Sequence, residues 1–541
     1  MTAKKPTGCV WLGLGLGVSL LVISTVVFAA GVTDPDVVLT PAPLPLQPRG
    51  VPFTDPVFET TLIHLTDDSD RGGLGTHIYS QLQAFSFDNV YVLLIEGSGY
   101  VVRRMSNLSL VQGLDTSGWN APRWHPGRSH TIIHFDSNDD TVVRVQFTDV
   151  DTLTTTTVFT FPAQYERVFN NQSFDEISLD GRWMAGAVQR NDGAMILFAL
   201  DISDETLGAV LPVSDLYAGP CQPDPVWGEI EPDWVGVSPL GRYLVVQWQR
   251  DGTTRCSGLE TFDIQTGAFV GRVYDGHQHG DLGVLPDGVA EYFMTTALAS
   301  PEDNNLPAIV LHRLPGTNTV SPLQLVRTIL WGDASHISCR GPAGVCVVTS
   351  SPTGGTFDAE VYLQYVNGSV LRLVHHRSSE CGYWVQPRAS ISRDGHYVIF
   401  ASDWGQEMGT DSCGGGNDLG RGEAYIIQLS DEEISPPEPE PAPEPAEVYF
   451  YPNPVTADRG FVHLDLDEPG NVTIHVYSVG GNLVRRLAEN RLHSPGDPDI
   501  AWNTRDDRGR WVANEVYLIL VQLEDGNGNL QTETINAVVM R

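Results

Sequence analysis

Three stretches decide the fold: ISLDGRWMAGAVQ (177–189), VSPLGRYLVVQWQ (237–249) and ISRDGHYVIFAS (391–402). Each reads as a short strand, a tight turn and a second strand of alternating apolar residues. Turns of this kind need a residue at positive φ, which accounts for Gly181, Gly241 and Gly395. Weaker copies lie on either side: FSFDNVYVLLIEG (85–97), WHPGRSHTIIHFDS (124–137), VLPDGVAEYFMTT (284–296) and RGPAGVCVVTSS (340–351). Another strand follows most copies, as in AMILFALDIS, LETFDIQTG, AEVYLQYVNG and EAYIIQLSD. A period of about 45–60 residues calls for a repeat architecture.

The repeat resembles the TolB-type (WD40-like) propeller repeat, whose consensus runs roughly FSPDGRYLAF and then a strand of the IYLWDLxTG kind. The resemblance covers residues 57–432 and implies an all-β, seven-bladed β-propeller over 51–432; six or eight blades fit the weaker copies as well. The last copy lacks an outer strand after EAYIIQLSD, whereas VFETTLIHLTD (57–67) precedes the first copy without a partner. That N-terminal strand is expected to complete the last blade and remove exposed sheet edges.

The composition agrees with many short strands. The 541 residues exceed one ordinary core, and 54 glycines and 36 prolines favour turns over long helices. Acidic residues outnumber basic ones 67 to 32, for a formal charge of -35. That field repels phosphate backbones and excludes nucleic acid as an expected partner. Lys4 and Lys5 are the only lysines, a pattern of GC-rich coding or of an acidic, salt-adapted surface.

Lys4 and Lys5, the apolar run Cys9 to Phe28, and the small residue Ala29 read as a signal peptide over 1–30, with an uncleaved anchor as the alternative. Export is expected either way, to a secreted or cell-surface location, with no membrane span after cleavage. The six remaining cysteines fit an oxidising compartment. Order along the repeat favours Cys221–Cys256, Cys339–Cys346 and Cys381–Cys413 among fifteen pairings, and no CxxC spacing points to structural zinc. Residues 31–50 are a proline-rich spacer. SPPEPEPAPEPAE marks a Pro/Glu linker over 433–447, which offers no apolar surface and repels itself.

Residues 448–541 form a separate β unit carrying YFYPNPV, VTIHVYSVGGNLVRRL and IAWNTRDDRGRWVANEVYLILVQLEDG. It resembles the immunoglobulin-like module of the flagellar hook-capping protein, which recurs as the C-terminal sorting domain of type IX-like secretion cargo. The matching positions are Tyr451 to Pro454, Gly480 to Leu487, Trp502, Asp506, Asp507, Gly509, Val512 to Ala513 and Val516 to Tyr517. Asn503-Thr504 and Asn514-Glu515 depart from the pattern and leave the fold intact. The resemblance implies a sandwich that partners secretion machinery.

No GxSxG elbow, HExxH helix or GxxxxGK loop occurs. Chemistry is expected instead where residues just before the first strand of each blade ring one mouth. Three successive blades carry DGHQHGDLG (275–283), DASHIS (333–338) and YWVQPRASIS (383–392) there. His277, His279, Asp281, His336, Gln386 and Arg388 are therefore expected on one ligand-binding rim. Imidazole with carboxylate or amide oxygen suits a divalent cation, Mn, Zn or Ca. The rim resembles the metal centre of propeller polysaccharide lyases of the oligogalacturonate type; the resemblance implies His279, His336 and Gln386 as ligands, with the family's further histidine unmatched. Arg388 and Arg123 would then pair with an acidic sugar. The alternative is a set of polar residues filling a water-lined channel.

DSNDDT (136–141) and DGNGNLQ (525–531) space oxygen atoms as calcium loops do but lack the later Glu, and read as hairpin turns. Trp119, Trp124, Trp234, Trp384 and Trp404 are blade core or stacking faces. The glycine-rich loop 403–423 is long for a blade connection. The sequence thus favours a non-catalytic propeller binding a ligand, an extracellular glycan or a partner protein. A metal-dependent polysaccharide lyase-like enzyme and a structural component of an extracellular assembly are the alternatives.

Overall fold

A computed structural model describes residues 30–67, 75–97, 99–136, 142–169, 177–298, 306–318, 321–406, 422–431, 447–456, 458–466, 468–524 and 530–540. The chain divides into two compact units, Met1–Pro437 and Glu438–Arg541. The signal segment, the Pro/Glu linker up to residue 446, Cys413, most of loop 403–423 and the greater part of both calcium-like loops lie outside the described residues.

The first unit is nearly all β. Five successive four-stranded sheets cover 119–160, 165–212, 232–274, 280–328 and 336–375, each a meander of sequence neighbours. A larger sheet joins the two ends of the unit. Ser390–Ile391, Tyr397–Ser402 and Glu423–Gln428 pair in order, and Thr61–His64 then adds antiparallel to Glu423–Gln428. The unpartnered N-terminal strand of the repeat thus closes the last sheet, and Pro52–Thr54 covers its outer edge. Gly75–His77, Tyr91–Glu96 and Gly99–Arg104 belong to the same sheet through one parallel pairing, Gly75 with Glu423. Repeated four-stranded meanders with N- and C-terminal strands sharing a sheet are the arrangement of a β-propeller.

The repeat's turn chemistry is visible in three places. Ser178 Oγ donates to Asp180 at 2.5 Å and accepts the Trp183 N–H at 2.9 Å. Ser86 and Asp88 do the same at 2.9 Å with Tyr91 at 3.0 Å, and Ser392 and Asp394 at 2.7 Å with Tyr397 at 3.0 Å. Gly181 and Gly395 sit at φ 74° and 85°. The strands differ from the expected alternation: the second strand Val345–Thr349, and Met195–Asp201, the strand that follows a second strand, are buried throughout. A central strand of a sheet packed on both faces buries both sets of side chains, whereas outer Thr154–Thr160 is mostly exposed. Trp119, Trp124, Trp234 and Trp404 are core, each less than 9% exposed, and Trp384 is half-buried.

Residues 31–50, expected as a spacer, lie along the sheets. Val32 bridges Arg372, and the Arg372 guanidinium donates to the carbonyls of Asp34 and Val37 at 3.2 and 2.6 Å. The Trp404 indole donates to the Leu44 carbonyl at 2.9 Å. Prolines cannot join a ladder, yet their neighbours' carbonyls still accept from side chains. Cys221–Cys256 and Cys339–Cys346 are disulfides, and Cys381 is also disulfide-bonded.

The second unit has a three-stranded sheet (Glu447–Tyr451, Gly460–Asp465, Ile500–Trp502) and a four-stranded one (Leu483–His493, Gly470–Ser478, Val516–Glu524, Leu530–Val538) around one core. The motif residues act as internal fasteners. The Asn453 amide donates to the Asn536 carbonyl at 2.8 Å and accepts the Val538 N–H at 2.9 Å. Trp502 is fully buried with its indole N–H on the Arg505 carbonyl at 3.1 Å. The Tyr517 hydroxyl donates to the Ala513 carbonyl at 3.1 Å. Among the described residues of the chain, no helix is long and apolar enough to cross a membrane.

Candidate functional site

The connections that lead into the inner strands arrive at one common end of the sheets. There they enclose a cavity of about 360 Å³. Its wall takes Asp233 and Trp234 from the 232–274 sheet, His279 from the 280–328 sheet, His336 from the 336–375 sheet, and Tyr383 and Gln386 from the connection into Ser390–Ile391. Tyr79 and Gln81, just after Gly75–His77, complete it. Residues 107 positions apart in the chain (from His279 to Gln386) thus share one wall because each precedes an inner strand.

The hydrogen bonds sort these groups into committed and uncommitted ones. The Gln81 amide donates to the Gly280 carbonyl at 2.8 Å, and the Gln247 amide donates to the Gln278 carbonyl at 3.1 Å. His279 Nδ1 lies 3.1 Å from the Ser335 carbonyl and donates to it, which leaves Nε2 as the uncommitted ring nitrogen. The His336 ring centroid is 4.6 Å from that of His279, and its buried Nδ1 has no hydrogen-bond partner among the described residues. Burial first, then the crowding of other groups that can carry positive charge, His279, Arg388 and His77, holds His336 well below the ordinary histidine range. The His336 side chain lines the cavity with its Nδ1 buried behind the wall.

Three of the six residues expected on the rim reach this wall: His279, His336 and Gln386. The others do not. His277 pairs with Asp233 at 3.3 Å, which raises its pKa, and its backbone N–H donates to Asp251 at 2.5 Å. Asp281 is fully buried; its carboxylate accepts the Cys339 N–H at 2.7 Å and the Arg340 guanidinium. Asp281 lies inside the strand Gly280–Val284, past the connection that carries His279, and a carboxylate buried there needs a buried cation. Arg123 is also buried, donating to the Ala121 carbonyl at 2.8 Å.

Arg388 lies behind the wall. It is fully buried, with its guanidinium carbon 4.4 Å from the Tyr383 ring, 5.0 Å from Trp384 and 5.9 Å from Tyr79. Its Nη2 has no hydrogen-bond partner among the described residues, and burial pulls its pKa down. Aromatic faces replace the carboxylate such a cation would ordinarily require. Its backbone sits at φ 42°, and its carbonyl accepts from His77 Nε2 at 2.7 Å. Burial, then the Arg388 charge, depress His77 to about 3.

Sequence reading missed His77, Tyr79, Gln81, Gln247 and Tyr383. Blade-start alignment would have supplied Tyr79 and Gln81 had FSFDN been extended backwards through YSQLQ. As to a metal, two imidazoles and an amide are a sparse set, and the described residues contain no group of three or more His, Cys, Asp or Glu placed to hold one.

No protein-family model matches the chain, and no curated protein matches it. Among solved structures the chain is similar to oligogalacturonate lyase from Vibrio parahaemolyticus, at 13% identity and a TM-score of 0.48, covering 71% of this chain and 97% of that one. An oligogalacturonate lyase in complex with manganese aligns at 12% identity and 0.47, over 75% and 100%. The β-propeller domain of the Trilobed protease from Pyrococcus furiosus aligns at 10% identity and 0.35, over 67% and 100%. These likenesses are too distant to carry any argument about activity.

Proposed function

We propose that this chain is an exported, seven-bladed β-propeller that binds an extracellular ligand in the mouth cavity. The observation that carries the reading is the trio of polar side chains on one wall. Gln386, His279 and His336 line the same space, while the neighbouring Gln81 and Gln247 amides are tied to backbone. A cavity of about 360 Å³ falls within the usual small-molecule range of about 300–1,000 Å³. An amide both donates and accepts, and Tyr79, Trp234 and Tyr383 supply ring faces and edges, a mixture that suits a hydroxyl-rich ring such as a sugar. The disulfides support maturation in an oxidising compartment.

The test is binding of the mature chain to an array of extracellular glycans, followed by calorimetry on each hit. Gln386→Ala and His336→Ala are expected to weaken binding at least about tenfold. Hits that both variants retain at full affinity would refute the reading.

A metal-dependent lyase-like enzyme is the second reading, and the 4.6 Å approach of the His279 and His336 rings favours it. His279 Nε2, His336 and Gln386 would hold the cation, manganese or zinc fitting two imidazoles better than calcium does. Metal content of the purified chain, with turnover of polygalacturonate lost in His279→Ala, separates this reading from binding alone. The C-terminal unit is read as an immunoglobulin-like sorting module behind the 433–447 linker; a chain ending at residue 432 is then exported but no longer reaches the cell surface. A structural role in an extracellular assembly predicts the reverse, self-association of the first unit alone.

A further inference from the structure

Beyond the cavity, two tryptophans stand in water for no reason of folding. Trp227 is 79% exposed and Trp331 59%, each beside a second exposed apolar residue, Val226 or Leu330. Each sits at the tip of a tight loop fastened by an aspartate. Asp224 Oδ1 accepts the N–H groups of Val226 and Trp227 at 2.8 and 3.0 Å, and Asp224 and Gly228 exchange both backbone bonds. Asp333 Oδ2 accepts the Leu330 N–H at 2.9 Å, and the Asp333 N–H returns to the Leu330 carbonyl at 3.1 Å. The bases of the loops are tied as well. Cys221–Cys256 and the bonds between the Tyr217 hydroxyl and Ile230 hold the first, and the Ser351 N–H on the Gly332 carbonyl holds the second.

Topology puts both tips at the cavity end. Trp227 lies on the connection into Pro232–Val237 and Trp331 on the connection into His336–Ser338, the strands whose first residues line the cavity. Tyr383, 39% exposed, lies on the corresponding connection into Ser390–Ile391 and lines the cavity itself. Rigid loops hold the rings out without an ordering cost on binding. Exposed tryptophan at such a site is a recognition feature.

We infer that Trp227 and Trp331 are outer subsites of the same mouth and hold a neutral, hydroxyl-rich polysaccharide chain that extends beyond the unit seated in the cavity. Indole faces stack on the apolar C–H faces of sugar rings. The charge selects against acidic chains: 218–231 carries Asp224, Glu229 and Glu231 with no basic residue, within a protein of net charge -35. Anionic lipid and acidic polymers are repelled by the same field. The inference rests on the mouth-binding reading above.

The test is affinity electrophoresis of the mature chain through gels containing hydroxyethylcellulose, galactomannan or pullulan, with polygalacturonate as the acidic comparison. Retardation is expected in at least one neutral gel, with each of Trp227→Ala and Trp331→Ala weakening it roughly tenfold and Trp227→Tyr retaining most of it. A disaccharide of the same polymer should bind both tip variants as well as it binds the parent, but should not bind Gln386→Ala. Disaccharide binding that survives Gln386→Ala would sink the mouth reading. Tip variants retarded like the parent would sink the subsites alone. Retardation only by polygalacturonate, or by none of the polymers, would overturn the inference, as would a dimer in sedimentation that Trp227→Ala dissolves.

Discussion

The inner strands run between two ends that are built differently. At the end where each strand turns back, a cavity of about 230 Å³ is walled by Ile177, Leu179, Leu240, Val284 and Ala343, with Cys339 and Arg340 at its side. Here the repeated Ser-x-Asp-Gly chemistry recurs, and successive turns clasp one another. The Leu179 N–H bonds the Pro239 carbonyl at 2.8 Å, the Leu240 N–H bonds Glu291 at 2.6 Å, and His130 Nε2 bonds Asp88 at 2.8 Å. At the opposite end the connections share no repeated turn motif, and His279, His336 and Gln386 among them line a cavity. The difference teaches that the repeat residues fasten the fold, while the parts that escape the repeat are free to build a site.

Substitutions can break that division of labour in a graded way. The largest effect is collective. Burial, the first cause in each case, holds His77 at about 3 and His125, His375 and His376 at about 4 in the folded chain, against about 6.5 when unfolded. Their contribution is fully present above pH 6.5 and is lost as the pH falls toward 4, by up to about 1.4 kcal/mol per pH unit for each ring. His396 runs the other way. Its hydrogen bond to Asp394, then that to Asp431, raises its pKa, so its contribution is lost as pH rises through that raised value. Urea midpoints between pH 7.5 and 4.5 should therefore fall with acidification, and His376→Gln should flatten the slope; a rise on acidification would contradict the burial account.

Asp281→Ala comes next, since it strands the buried Arg340 and should cost about 3–5 kcal/mol in urea unfolding. Gly181→Ala should cost about 1–2 kcal/mol, because its φ of 74° disfavours a side chain and a Cβ would lie 2.3 Å from the His125 ring. Ligand affinity of the folded Gly181→Ala protein should be unchanged. The smallest effect on stability belongs to the mouth: Gln386→Ala should move unfolding by less than about 0.5 kcal/mol while abolishing ligand binding. Should the mouth substitution unfold the chain and the turn substitution abolish binding, the two ends would have exchanged roles.

What the sequence disclosed follows the same line. The turns at Gly181, Gly241 and Gly395 announce themselves because backbone geometry constrains residue type there, and the lone strand 57–67 announces its role because an open sheet edge is unfavourable. His279, His336 and Gln386 were legible because they precede inner strands by alignment. Asp281 and Arg388 were placed with them but are buried, because nearness to the start of an inner strand does not give the depth at which a side chain lies. Tyr79, Gln81 and Gln247 stayed hidden because the first copy is weak and Gln247 reaches the wall from the far end of its own second strand. Trp227 and Trp331 carry no repeat signal at all; only their exposure marks them.

Hydrogen–deuterium exchange of the mature chain, with and without a saturating oligosaccharide, bears most directly on the division between the two ends. The account predicts slowed exchange at 77–83, 277–281, 335–338 and 383–388, with the turns at 178–182, 239–243 and 392–396 unaffected. Protection confined to those turns, with none at the mouth, would contradict it.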